Sequence, residues 1–123
     1  MSRILVVEDS PTALYMVADL LAKEGYDVIK ATDGEEALRL AAQEQPQLIL
    51  LDVILPKLNG YQVCRQIRAA PETRHIPVVM ITSKAKDKDR DWGIEQGADG
   101  YVVKPVDSSA LREVIDQFVA SKG

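Results

Sequence analysis

The sequence predicts an α/β domain of five parallel strands wrapped by helices on both faces, and three observations carry that expectation. Short apolar runs alternate with longer stretches of helical period along the 123 residues. Three of the runs, ILVV, LILL and VVMI, are apolar on both faces, as strands covered from two sides are. Four of the five runs end in polar or charged residues. No Ser/Gly/Pro-rich linker or internal repeat interrupts the pattern, so a single domain is expected over residues 1–123.

Each element has its own signal. The first strand, Ile4 to Val7, exits into Glu8 and Asp9. Ser10 then caps a helix whose first position is Pro11, where a missing N–H costs no hydrogen bond. Its core stripe is Leu14, Val17, Ala18, Leu21 and Ala22. The second strand, Tyr26 to Lys30, mixes charge with apolar residues and reads as a sheet edge. Asp33, with Glu36 three residues later, reads as a capping box opening the second helix. Leu48 to Leu51 form the third strand and run straight into Asp52. In the loop that follows, Pro56 supplies a rigid turn and Gly60 a permissive backbone, so the helical stretch GYQVCRQIRA starts close to Asp52. Val78 to Ile81 form the fourth strand and end in Thr82 and Ser83. The fourth predicted helix, within KAKDKDRDWGIEQGA, has a weak stripe, because Trp92 and Ile94 stand about 200° apart around its axis. Tyr101 to Val103 form the last strand and lead into Lys104. Asp107 caps the final helix, with Leu111, Val114, Ile115, Phe118 and Val119 on its core side.

Asp52 poses the chemical question, because an ionised carboxylate at the end of an apolar strand is costly without polar or cationic partners. Glu8 and Asp9, Asp52, Thr82 and Lys104 all lie at carboxyl ends of strands, where open α/β sheets bind ligands. If Asp9 and Asp52 serve one site, strands one and three are neighbours, which gives the order 2-1-3-4-5. That is the flavodoxin-like, three-layer (βα)5 arrangement, with its site at the switch between strands one and three.

Three carboxylates packed about 4 Å apart repel pairwise by roughly 4 kcal/mol at an effective dielectric near 20, so they stay ionised together only beside a cation. Mg²⁺ fits, as a hard ion that takes oxygen ligands and keeps several waters. Lys104 adds a second, mobile positive charge, and Thr82 a hydroxyl donor. A metal, a cation, a donor and a carboxylate nucleophile are the parts that in-line phosphoryl transfer needs.

The segments VVEDS, LLDVILPKLNG, MITS and YVVKP, in this order and spacing, resemble the receiver domains of two-component response regulators, the CheY-like superfamily. The resemblance covers nearly the whole chain. It implies that Asp52 accepts a phosphoryl group from a CheA-like histidine kinase. It implies that Glu8 and Asp9 hold Mg²⁺ directly or through water, and that the backbone carbonyl of Ile54 completes the protein ligands. Thr82 and Lys104 then contact the phosphoryl oxygens, Tyr101 is the aromatic switch, and the Lys104–Pro105 peptide is cis. Phosphorylation brings roughly −1.5 to −2 charges and three acceptor oxygens. Thr82 is drawn toward them, Tyr101 turns into the space it leaves, and a protein target reads the altered surface of the fourth helix, fifth strand and last helix.

Within the family, VEDSPTALYMV and TSKAKDKDRDWGIEQGADGYVVKPVD are most similar to the PilH-type regulators of twitching motility and to related phototaxis proteins, with flagellar chemotaxis control as the alternative. The chain ends about one turn after Phe118, so a stand-alone regulator without an output domain is expected. Such a regulator is a phosphoryl acceptor rather than an enzyme with its own turnover chemistry, and a monomer.

Composition sets the exclusions. A formal charge of −4, with 15 Lys and Arg against 19 Asp and Glu, disfavours nucleic acid and anionic membranes as partners. The single cysteine forms no internal disulfide, and no apolar stretch is long enough for a signal peptide or span, so the cytoplasm is the expected compartment. A dinucleotide enzyme needs G-x-G-x-x-G after the first strand, where EDSPTA has no glycine. A nucleotide hydrolase needs a G-x-x-x-x-G-K-[ST] loop, which is absent. A haloacid-dehalogenase-like phosphatase needs a second acid two residues after its nucleophile, where Ile54 stands. The serious rival is a phosphorylation-independent interaction module with a receiver-like fold, against which the intact set of acids, Thr82 and Lys104 speaks.

Other residues read more plainly. Lys86 to Asp91 form a solvated charged face, Cys64 a small buried residue, and His75 a loop histidine without companion ligands. Trp92 is either an anchor for a partner or a residue lying along the helix surface. Ile54 cannot position a hydrolytic water with its side chain, which predicts a longer-lived phosphoryl group than in relatives with Asn there.

Overall fold

The computed structural model describes residues 3–82, 97–104 and 106–119. Five strands form one parallel sheet: β1 (Arg3–Val7), β2 (Asp27–Ala31), β3 (Leu48–Asp52), β4 (Val78–Thr82) and β5 (Gly100–Val103). Their order is β2-β1-β3-β4-β5, as the convergence of the polar strand ends predicts. Four helices are described: α1 (Pro11–Lys23), α2 (Gly34–Glu44), α3 (Gly60–Ala69) and α4 (Ser108–Phe118). The expected helix around Trp92 and Ile94, and Pro105 with its predicted cis bond, lie outside the described residues.

The sheet separates two cores, and the two-residue alternation of strand side chains decides which residue joins which. Leu5, Val7, Ile49, Leu51, Val78 and Met80 pack with Ala37 and Ala41 of α2 and Val63, Cys64 and Ile67 of α3. Ile4, Val6, Leu48, Leu50, Val79 and Ile81 pack with Leu14, Val17 and Leu21 of α1 and Leu111, Val114 and Ile115 of α4. At about 25 cal/mol per Å² of apolar area, this double burial is the main force holding the layers together.

The helix starts follow from capping chemistry. Ser10 Oγ accepts from Ala13 N at 3.4 Å and Asp107 from Ala110 N at 2.8 Å, as expected. The second helix corrects the reading in detail. Asp33 accepts from Glu36 N at 2.8 Å, but the Glu36 carboxylate reaches back to Thr32 N at 2.9 Å instead of Asp33 N, so the reciprocal box is not closed. A complete box sits at α3, where Asn59 and Gln62 exchange bonds of 2.9 and 3.0 Å. Ala22, expected on the α1 stripe, is exposed because it falls at the edge of the arc that α1 turns to the sheet. The second strand begins one residue later than predicted, at Asp27, and is an edge strand.

Candidate functional site

The rows of side chains that fill the α1/α4 core continue past the ends of their strands as charged groups. Ile4 and Val6 are followed on the same face by Glu8, Leu48 and Leu50 by Asp52, and Val102 by Lys104. The period of two that buries the aliphatics thus brings two carboxylates and an ammonium to one point. Glu8 and Asp52 are buried, 3% and 5% exposed, while Asp9 is exposed at the rim. Carboxylate oxygens of all three lie within 4.8 Å of one another.

Lys104 Nζ lies 2.8 Å from a Glu8 oxygen and 3.3 Å from an Asp52 oxygen. Its backbone N donates to the Thr82 carbonyl at 2.7 Å, carrying the β4–β5 pairing one residue beyond β5. Burial pushes the Glu8 carboxyl up to about 7, assisted by its hydrogen bond to Asp52 and that group's field and opposed by Lys104. Burial alone lowers the Lys104 pKa, but the bond to Glu8 and the fields of Asp52 and Glu8 outweigh it, and the net shift is upward.

The donor set suits a hard divalent cation. Three carboxylates supply oxygen ligands only, and they outnumber the one ammonium placed on them, Lys104. Glu8, Asp9 and Asp52 are the residues that would hold Mg²⁺.

The loop after Asp52 approaches the strand closely. Gly60 N donates to the Val53 carbonyl at 2.8 Å, and a Cβ on Gly60 would stand 2.4 Å from the Asp52 carbonyl oxygen. Ile54 N donates to Asp52 Oδ1 at 3.3 Å, and the Ile54 side chain is 57% exposed beside it. Pro56 is exposed in the same loop. Thr82 is buried at the end of β4, one residue past the Asp52–Ile81 register pair. Tyr101, half-buried, packs against the α2/α3 core and pairs in register with Met80.

The family model of the response regulator receiver domain matches residues 4–116. The chain belongs to that family. This receiver is 43% identical to "Protein PilH" of Pseudomonas aeruginosa over 120 residues, which cover 98% of this chain and 99% of PilH. Against the transcriptional regulatory protein PhoP of Bacillus subtilis it is 47% identical over 103 residues, 84% of this chain and 42% of that longer protein. Among solved structures, the receiver domain of the sensor histidine kinase PA1611 from P. aeruginosa superposes with a TM-score of 0.90 at 32% identity, covering 98% of each chain. That structure carries a magnesium ion coordinated in its active site cleft.

Cys64 is fully buried, and burial pushes its thiol up to about 11, so it is held as an unreactive thiol. His75 is exposed in its loop. Sequence reasoning missed Lys57, whose ammonium lies 3.6 Å from Asp33 and 3.5 Å from Glu35 at the start of α2. It also missed an apolar hollow of about 300 Å³ beside the site, lined by Met16 and Val17 of α1, Ile81 and Val106, and edged by Glu8 and Lys104. Exposed Met16 at helical spacing from Ala13 was the available signal for the hollow. Lys57 carried none.

Proposed function

We propose that this receiver takes a phosphoryl group onto Asp52 from the phosphohistidine of a CheA-like histidine kinase, with Mg²⁺ held by Glu8, Asp9 and Asp52. The observation that carries the reading is the meeting of these three carboxylates, within 4.8 Å of one another, with the Lys104 ammonium on two of them. The magnesium in the PA1611 receiver supports it.

An Asp52 carboxylate oxygen attacks phosphorus, the P–N bond breaks, and its electron pair stays on the donor imidazole. Mg²⁺, when bound, neutralises the charge of the transferring oxygens. Lys104 supplies a second cation on a flexible stem, the Thr82 hydroxyl is the hydrogen-bond donor to the phosphoryl oxygens, and the Ile54 carbonyl is a metal ligand. The exposed Ile54 beside the acceptor, and Met16 in the hollow edged by Glu8 and Lys104, offer apolar surface to a protein donor. The new charge on Asp52 draws Thr82, Tyr101 follows, and the surface on β5 and α4 is read by a protein target.

The end-to-end likeness to PilH supports a regulator of pilus-driven motility, which we take to act as a cytoplasmic monomer. Incubation with acetyl phosphate and Mg²⁺, followed by intact-mass measurement, tests the chemistry: one phosphoryl adduct is expected, absent from Asp52→Asn. An adduct that survives this substitution, or none on the wild type, overturns it. Capture of pilus or chemoreceptor-array components only by the phosphorylated form tests the pathway, and capture of a flagellar switch protein redirects it.

A further inference from the structure

Lys57, in the loop between Asp52 and α3, holds φ at 69°, in the left-handed region that L side chains avoid. Among the described residues the other non-glycine with positive φ is Gln45, at 48°, whose place as C-cap of α2 accounts for it. Lys57 ends no helix. Leu58 N donates to the Pro56 carbonyl at 2.8 Å, which closes a three-residue turn about Lys57. Such a backbone persists only where the surroundings over-determine it, and such places concentrate at functional sites.

The surroundings are specific. The Lys57 ammonium lies 3.6 Å from Asp33, the N-cap of α2, and 3.5 Å from Glu35 in its first turn. Next to it, Leu58 is pressed onto Gly34 so closely that a Cβ on Gly34 would stand 2.7 Å from both the Leu58 Cβ and its carbonyl oxygen. The far end of the loop is closed by the Gly60 N bond to the Val53 carbonyl. Ile54 lies inside this closed loop, with its N–H on the Asp52 carboxylate at 3.3 Å. A loop docked on α2 through Lys57 therefore reaches the acceptor carboxylate directly.

We propose that Lys57 is a positioning residue: by pairing with Asp33 and Glu35 it holds the left-handed turn, and so sets the Ile54 backbone and the Asp52 carboxylate for Mg²⁺. The inference rests on the metal reading of the site. Its sign separates it from simple electrostatics. Removing a cation near an acidic cluster tightens Mg²⁺ binding by charge alone, whereas loss of a positioning group weakens it.

The test is calorimetric titration of the full chain with Mg²⁺, alongside the ¹⁵N amide shifts of Ile54 and Gly60 without metal. Lys57→Ala is expected to bind Mg²⁺ more weakly by up to about fivefold, the most that exposed ion pairs such as those to Asp33 and Glu35 contribute. Lys57→Arg, which keeps the charge, is expected to stay near wild type in affinity and amide shifts. Lys57→Gly adopts the turn without strain but lacks the ammonium, and falls between; it replaces the alanine variant should that one fail to fold. Affinity in Lys57→Ala equal to or tighter than wild type overturns the inference, as does an arginine variant as weak as the alanine one. A wild type that binds no Mg²⁺ sinks the metal reading instead. The Ile54 amide shift then decides the positioning role: unmoved in both the alanine and glycine variants, it overturns that role too.

Discussion

Lys104 Nζ stands 2.8 Å from Glu8 and 3.3 Å from Asp52, so one ammonium joins two carboxylates delivered by different strands. Neither carboxylate is exposed enough for water to screen it, so the Glu8 and Lys104 pKa values both carry the charges of their neighbours.

The first consequence is a pH dependence of metal binding. Glu8 holds its proton to about 7, against 4.5 for an ordinary glutamate, chiefly because it is buried. The folded state therefore binds that proton more tightly than the unfolded state, and this group's contribution to stability declines as pH rises from 4.5 to about 7. Mg²⁺ needs the deprotonated form, so its apparent affinity should fall by about tenfold per pH unit below neutrality and level off above it. Calorimetry in buffers of different ionisation enthalpy measures both affinity and released protons. A flat profile across this range, with no proton release, would contradict the assignment.

Replacing Lys104 by Met separates its two jobs. Lys104 is among the causes holding the Glu8 pKa down, so Lys104→Met should move the Glu8 titration upward, as followed by carboxyl ¹³C shifts. At alkaline pH, where Glu8 is ionised in either protein, the variant should bind Mg²⁺ no more weakly than wild type, since the ammonium competes for the same oxygens. Phosphorylation by acetyl phosphate should slow by about a hundredfold, the usual cost of one lost charge-stabilising donor. Unaltered phosphorylation would remove Lys104 from the chemistry.

Much of this was legible in the chain. Strand periodicity placed Glu8, Asp52 and Lys104 at strand ends, and since side chains alternate, it also placed them on one face. The strand order followed from asking which carboxylates must meet. What stayed hidden were contacts between a side chain and distant backbone, which leave no period. Arg68 is the clearest case: its guanidinium donates to the carbonyls of Gly97 at 2.9 Å, Arg74 at 3.0 Å and Ile76 at 2.7 Å, and pairs with Asp99. It ties α3 to the entry of β5, and Gly97, at φ 104°, lies where any Cβ would stand 2.6 Å from the Arg68 Cγ. The turn at Lys57 was hidden for a similar reason, because nothing in LPKLNG distinguishes a left-handed lysine from an extended one.

Ile54 bears on the lifetime of the phosphorylated state. Its side chain is exposed beside the acceptor, where a polar group is within reach of an attacking water, and an aliphatic one neither orients nor activates it. Ile54→Asn should speed loss of the phosphoryl group by about tenfold, below the roughly 10²–10⁴ that a fully placed general base contributes. Decay of the adduct after removal of donor, followed by intact mass, gives the rate directly. The substitution leaves the core untouched, so a difference in folding stability would not confound it, and an unchanged rate would show that the water is positioned elsewhere.

Gly60 tests how tightly the acceptor strand and α3 are fitted. It opens α3 with ordinary helical backbone, so conformational freedom is not what demands glycine here; space is. A Cβ would meet the Asp52 carbonyl oxygen at 2.4 Å and the Val53 Cα at 2.8 Å, both backbone atoms that no rotamer change can move. Gly60→Ala must therefore push α3 away from β3 or bend the strand, and either lengthens the 2.8 Å bond from Gly60 N to the Val53 carbonyl. Overpacking of this kind costs roughly 1–3 kcal/mol, readable as a lower urea midpoint with unchanged slope. Because the displaced atoms belong to Asp52 and its neighbour, Mg²⁺ affinity should fall along with stability. A distant core substitution, Ile67→Val, removes a methylene from α3 without touching the loop, costs roughly 0.5–1.5 kcal/mol, and should lower the midpoint while leaving the affinity intact. If both variants lost affinity in proportion to stability, the close approach at Gly60 would matter to folding alone.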